Sequence, residues 1–109
     1  MRSIIGAIAI VLWAAPMAVA QEAKMAKGEE VYAAQKCGVC HSIGTKGNKK
    51  GPLDGVGSKL SAADMRAWIV DAPGMTAKTK SARKPAMKSY PAIAKADLDA
   101  LVAYLYSLK

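Results

Sequence analysis

Cys37-Gly38-Val39-Cys40-His41 is the stretch on which the reading of this chain turns. It holds both cysteines and the single histidine of a 109-residue sequence. Two thiols three positions apart on one turn, followed at once by an imidazole, admit several chemistries. A redox pair of the thioredoxin type belongs beside a strand-helix-strand pattern, and this chain shows helical patterns only. A closed structural zinc site needs four ligands, more than these residues can supply within one chain. A disulfide between Cys37 and Cys40 would close a very small loop and stabilise little. C-x-x-C-H is also the pattern of covalent haem attachment. The two thiols reach the two vinyl groups of one porphyrin as thioethers, and His41 lies under the iron as its proximal ligand.

Upstream, Arg2 precedes an apolar run from Ile4 to Trp13, and then Ala14-Ala15-Pro16-Met17-Ala18-Val19-Ala20. A positive start, a short apolar core and a small-residue ending describe an export signal, with cleavage expected after Ala20. The run is broken by Pro16 and falls short of the ~20 apolar residues of a spanning helix. The chain therefore divides into a signal peptide, residues 1–20, and one domain, residues 21–109, expected in the periplasm with no stable membrane span. Export agrees with the motif, because thioether attachment takes place after export. A domain this small buries little surface and needs a staple. Two cysteines cannot build a disulfide framework, so the haem is expected to be that staple.

Lys and Arg number 16 against 8 Asp and Glu, a formal net charge of +8. Removing Arg2 with the signal leaves +7. A basic surface suits nucleic acid, an anionic membrane or an acidic protein. Export and the lack of any nucleic-acid-binding module exclude the first.

Three helical stretches are expected, with no strand pattern. The first covers about residues 24–36, with Gly28, Val31, Tyr32 and Gln35 along one face at i, i+3, i+4, i+7. The second starts at Ser61, where Ser61-Ala62-Ala63-Asp64 resembles a capping box. It carries Met65, Trp68 and Ile69 and ends before Pro73-Gly74. The third covers about residues 95–108, with Leu98, Leu101, Val102 and Leu105 as its apolar stripe and a weak cap at Ala94. Between them, 42–60 and 72–94 read as long irregular segments. Loops of that length in so small a domain wrap around something or lack order. The Gly- and Lys-containing stretch 44–51 lacks the G-x-x-x-x-G-K-[ST] of a phosphate loop.

From Gly28 onward the chain resembles the class I c-type cytochromes, small monohaem bacterial proteins. The resemblance rests on Cys37-Gly38-Val39-Cys40-His41, then Gly51-Pro52-Leu53-Asp54-Gly55-Val56-Gly57, Trp68-Ile69, Met87-Lys88-Ser89-Tyr90-Pro91 and the closing helix from Asp97 to Leu105. It implies an all-α cytochrome c fold: three main helices and long loops around one covalently attached haem c. It also implies an electron carrier rather than an enzyme, with no catalytic residues.

A second histidine cannot be the sixth ligand, because none exists. Met1 and Met17 leave with the signal, and Met25 and Met65 fall on expected helices, where methionine is usually core, which leaves Met75 and Met87. The resemblance favours Met87, followed three residues later by Tyr90. It also points to the Pro52 carbonyl as acceptor for the other ring proton of His41, although Leu53 follows Pro52 directly where many relatives have one more residue. Trp68 and Tyr90 are expected against the porphyrin or core, and Tyr104 against Gly28. By the same resemblance Lys46, Lys49, Lys50, Lys78, Lys80, Arg83, Lys84 and Lys88 border the haem edge. There they would steer acidic redox partners into short-lived complexes. The expectation is a monomeric carrier between periplasmic or membrane redox partners. Its alternatives are a haem subunit of a periplasmic dehydrogenase and a gas-binding haem with an open sixth site.

Overall fold

The computed structural model describes Gly6 and residues 14–109, with the side chains of 14–16 left aside. Most of the apolar run of the expected signal lies outside the described residues. Helix α1 (Ala14–Ala34) leads into a short 3-10 turn (Cys37–Val39) and a two-stranded hairpin, β1 (Ser42–Ile43) with β2 (Lys46–Gly47). Four further helices follow: α2 (Val56–Lys59), α3 (Ala62–Val70), α4 (Ala72–Thr79) and α5 (Lys95–Tyr106). The architecture is all-α, as expected.

Besides the single turn of α2 inside the 42–60 stretch read as irregular, three elements depart from the sequence reading, each for a local reason. α1 begins well before residue 24 and runs through the expected cleavage position. The residues from Met17 to Lys24 include no glycine or proline to stop it, and Pro16 falls in the first turn, where its missing N–H has no helical partner to lose. Second, residues 72–94 are not all loop. Pro73 and Gly74 sit in the first turn of α4, where proline is tolerated, and the Asp71 carboxylate accepts from Gly74 N at 3.2 Å as the cap. α3 does end before Pro73-Gly74, at Val70, but the pair also opens the next helix instead of a loop. Third, the β1-β2 hairpin, with Ser42 facing Gly47 and Ile43 facing Lys46 across a turn at Gly44 (φ 59°), is too short to show alternation in sequence.

The packing follows the predicted stripes. Val31, Met65, Ile69, Leu98, Leu101, Val102 and Leu105 form the buried core. Ser61 caps α3, its hydroxyl accepting from Asp64 N at 3.0 Å, while Ala94 offers α5 no side-chain cap. α1 crosses α5 at Gly28. A Cβ there would lie 2.5 Å from Tyr104 Cβ and 2.8 Å from the Ala100 carbonyl carbon. Tyr104 therefore meets Gly28 as expected, and its ring also packs edge-on against Tyr32 with centroids 6.1 Å apart. The chain end is tied back as Gly57 N donates to Leu108 O at 2.7 Å and Lys109 Nζ to Gly57 O at 2.9 Å. Asp99 on α5 accepts from Lys95 Nζ at 2.8 Å and from the Arg66 guanidinium of α3. Those two partners hold its carboxyl down at about 2.

Candidate functional site

The attachment motif owes its shape to the end of α1. Lys36 takes a left-handed conformation (φ 59°) and breaks the helix direction. Cys40 N and His41 N then both donate to Cys37 O, at 3.1 and 2.9 Å. The second bond closes one helical turn, which brings Cys37 and His41 to the same side. Both cysteines are half-buried free thiols. Burial pushes the Cys37 thiol up, with Cys40 adding to the shift against a lowering hydrogen bond from its own backbone.

A cavity of about 270 Å³ opens between this turn and the loop after α4. Its wall includes Cys37, His41, Trp68, Met87 and Tyr90, so five of the residues singled out in the sequence converge on one space. Cys40 lies beside the cavity without forming its wall. Met75 is buried in α4 at 8% exposure and does not line it. Of the two candidate methionines, only Met87 shares a cavity with His41.

His41 Nδ1 donates to a carbonyl at 3.0 Å, and the acceptor is Gly51, not Pro52. The reason is register. Pro52 forms a parallel bridge with Ser42, in which Ser42 N donates to Gly51 O at 3.1 Å and Leu53 N to Ser42 O at 2.8 Å. That alternation turns the Gly51 carbonyl toward the His41 side, where it accepts from both Nδ1 and Ser42 N. Pro52 is exposed and does not line the cavity, so it is corrected from a pocket residue to a strand-pairing one. With Nδ1 carrying the proton, Nε2 keeps its lone pair. Burial lowers the pKa of His41, opposed by the Gly51 bond and helped by the Arg83 charge, which favours the neutral imidazole, the form able to bind a metal.

The wall also includes Tyr32, expected only on a helical face, and Arg83, expected only as a cation at the haem edge. Tyr32 comes from the α1 face, and its hydroxyl is buried without a hydrogen-bond partner. Burial, reinforced by the neighbouring Cys37, Tyr104 and Asp54, raises it to about 12. Arg83 reaches across from the Met87 loop, its guanidinium donating to the Cys40 carbonyl.

These residues fit a haem. Leu53, Val56, Leu60 and Ile69 give the cavity an apolar lining, the Cys37 thiol stands at one wall with Cys40 beside it, and imidazole and thioether donors both face it. Nitrogen and sulfur form one of the donor pairs that hold haem iron. The unpartnered Tyr32 hydroxyl is a polar atom that the protein alone leaves unsatisfied, as happens where a bound group completes a site. Among the described residues no three His, Cys, Asp or Glu side chains gather as a metal cluster.

An all-α domain folded around an apolar cavity, with a C-x-x-C-H turn at its wall, defines a haem-attachment protein. The family model for cytochrome c matches residues 25–109, and the chain belongs to the cytochrome c family. No curated protein and no solved structure matches the chain. Members of the family carry covalently attached haem c, one per small monohaem chain, and serve in haem-based electron transfer. Among the described residues no helix is long and apolar enough to cross a membrane.

Proposed function

We propose that this protein is an exported carrier of single electrons, with Cys37 and Cys40 as the thioether anchors and His41 and Met87 as the two axial ligands. The observation that carries the reading is the cavity shared by His41 and Met87, with the other ring nitrogen of His41 already engaged by Gly51. The bound haem supplies a metal centre that gains and loses one electron. The protein's work is to keep that centre unchanged in shape while its charge changes. The Gly51 carbonyl holds the His41 ring in one orientation and one tautomer. Leu53, Val56, Leu60 and Ile69 exclude water, while Trp68 and Tyr90 supply flat walls for the porphyrin. With His41 and Met87 both serving as ligands, the iron would keep no open position for a substrate or a gas, which favours outer-sphere transfer over the open-site alternative.

The donors and acceptors are redox proteins of the periplasm or membrane, approached as a monomer. Acidic partners suit this chain, since Lys46, Lys49, Lys50, Lys80 and Lys84 are all exposed on the attachment and Met87 segments. Such charges mainly speed encounter. Cleavage after Ala20 releases a domain beginning at Gln21. The ligand assignment is tested by the weak far-red sulfur-to-iron band of the oxidised protein. Met87→Ala should abolish it and Met75→Ala should preserve it; the opposite pattern assigns the wrong methionine.

A further inference from the structure

Met87 lies in the stretch 82–88, whose two ends are pinned to the same part of the molecule. Ser81 N donates to Thr76 O of α4 at 3.1 Å. At the other end Ala72 N donates to Ser89 Oγ at 3.0 Å, and Tyr90 N to Ile69 O of α3 at 2.7 Å. Among the described residues, one hydrogen bond joins the interior of this stretch to the rest of the fold: that from Arg83 Nη2 to the Cys40 carbonyl. It connects the segment bearing Met87 to the segment bearing His41 across 43 positions of sequence. The guanidinium also lines the cavity and rests on Gly51, where a Cβ would collide with both of its terminal nitrogens. Gly51 is the residue whose carbonyl holds His41. One charged side chain therefore touches the supports of both proposed ligands.

We propose that Arg83 is a positioning residue for the sixth ligand: its bond to the Cys40 carbonyl holds the 82–88 segment closed over the cavity, keeping Met87 at the iron and small competing ligands out. The inference rests on Met87 being the axial ligand. With both ends of the segment anchored on α3 and α4, swinging the middle outward breaks no other hydrogen bond to the attachment side. A charge-assisted bond is stronger than a neutral one, but this one is exposed to water, so its net effect is that of an ordinary hydrogen bond.

The test is titration of the oxidised holoprotein with imidazole, following loss of the far-red band. Arg83→Ala should bind imidazole roughly three- to tenfold more tightly than the parent, the equilibrium worth of one such bond. Arg83→Lys, which can still donate to the carbonyl, should recover part of the difference. Lys84→Ala removes the same charge from the same segment without touching the bond, and should titrate like the parent. Equal affinities for Arg83→Ala and the parent overturn the clamp, as do equal shifts for Arg83→Ala and Lys84→Ala, which would reduce Arg83 to a surface charge. Should the alanine variant fail to retain haem, Arg83→Gln carries the same comparison. A parent protein without the band, or a Met87→Ala variant that keeps it, refutes the ligand assignment and the clamp with it. A band that behaves as expected beside an unresponsive Arg83→Ala refutes the clamp alone.

Discussion

Gly28→Ala sets two opposing effects against each other at the crossing of α1 and α5. Alanine is the better helix former by about 1 kcal/mol in a helix interior, so an isolated α1 would gain. The crossing says otherwise. The new methyl would stand 2.5 Å from Tyr104 Cβ and 2.8 Å from the Ala100 carbonyl carbon, against a floor of 3.0 Å that Cβ atoms essentially never breach. The neighbours are a rigid Cβ and backbone atoms of a helix, so neither can swing aside. The helices must separate by about 0.5 Å or more, loosening Val31, Leu101 and Val102 together. Overpacking of this kind costs about 1–3 kcal/mol, with backbone collisions at the upper end, and the propensity gain offsets only part of it. The expected result is a net loss of about 1–2 kcal/mol, read from denaturant unfolding of the holoprotein by far-ultraviolet circular dichroism. A variant stabilised by about 1 kcal/mol would show that propensity governs the site, and the crossing described here would be wrong.

Other outcomes follow from individual side chains. Tyr32, raised to about 12 from an ordinary 10, favours the folded state below pH 10, and that contribution is lost as pH rises toward 12. Denaturant midpoints measured between pH 9 and 12 should therefore fall less steeply for Tyr32→Phe than for the parent. Asp99, lowered from 3.8 to about 2 by Lys95 and Arg66, contributes stability above pH 3.8 that disappears as pH falls through 2. Asp99→Asn should flatten that acid limb in the same unfolding measurement. The Cys37→Ala, Cys40→Ala double variant should lose most of its helical circular dichroism, whereas native-like helix content would deny the haem its role as staple. Electron-transfer rates with an acidic partner should fall with ionic strength, and a flat profile would remove the docking role of the lysines.

Much of the site could be read from short-range pattern. The C-x-x-C-H turn, the Ser61 cap and the apolar stripe of α5 each sit within a few residues of one another, where spacing decides structure. Even the meeting of Gly28 with Tyr104 followed from a glycine that needed a neighbour and a terminal helix that could supply one. The misreadings share another origin. Pro73-Gly74 is compatible with ending a helix or beginning one, and the Asp71 side chain decides between them. Which carbonyl serves His41 depends on the pairing of Ser42 with Pro52, a register that no local pattern announces. Arg83 reads in sequence only as one of the docking cations at the haem edge, because its partner, Cys40, is 43 positions away. Tyr32 was visible as part of a helical face, but not as a hydroxyl buried in the cavity wall.

Intact mass and absorbance of the exported protein bear most directly on the central claim. A mass equal to residues 21–109 plus one haem joined through two thioethers, with a Soret band and a pyridine haemochrome of c type, is the predicted result. A polypeptide made alongside a working maturation system that weighs no more than its amino acids, and shows no Soret absorbance, would contradict it.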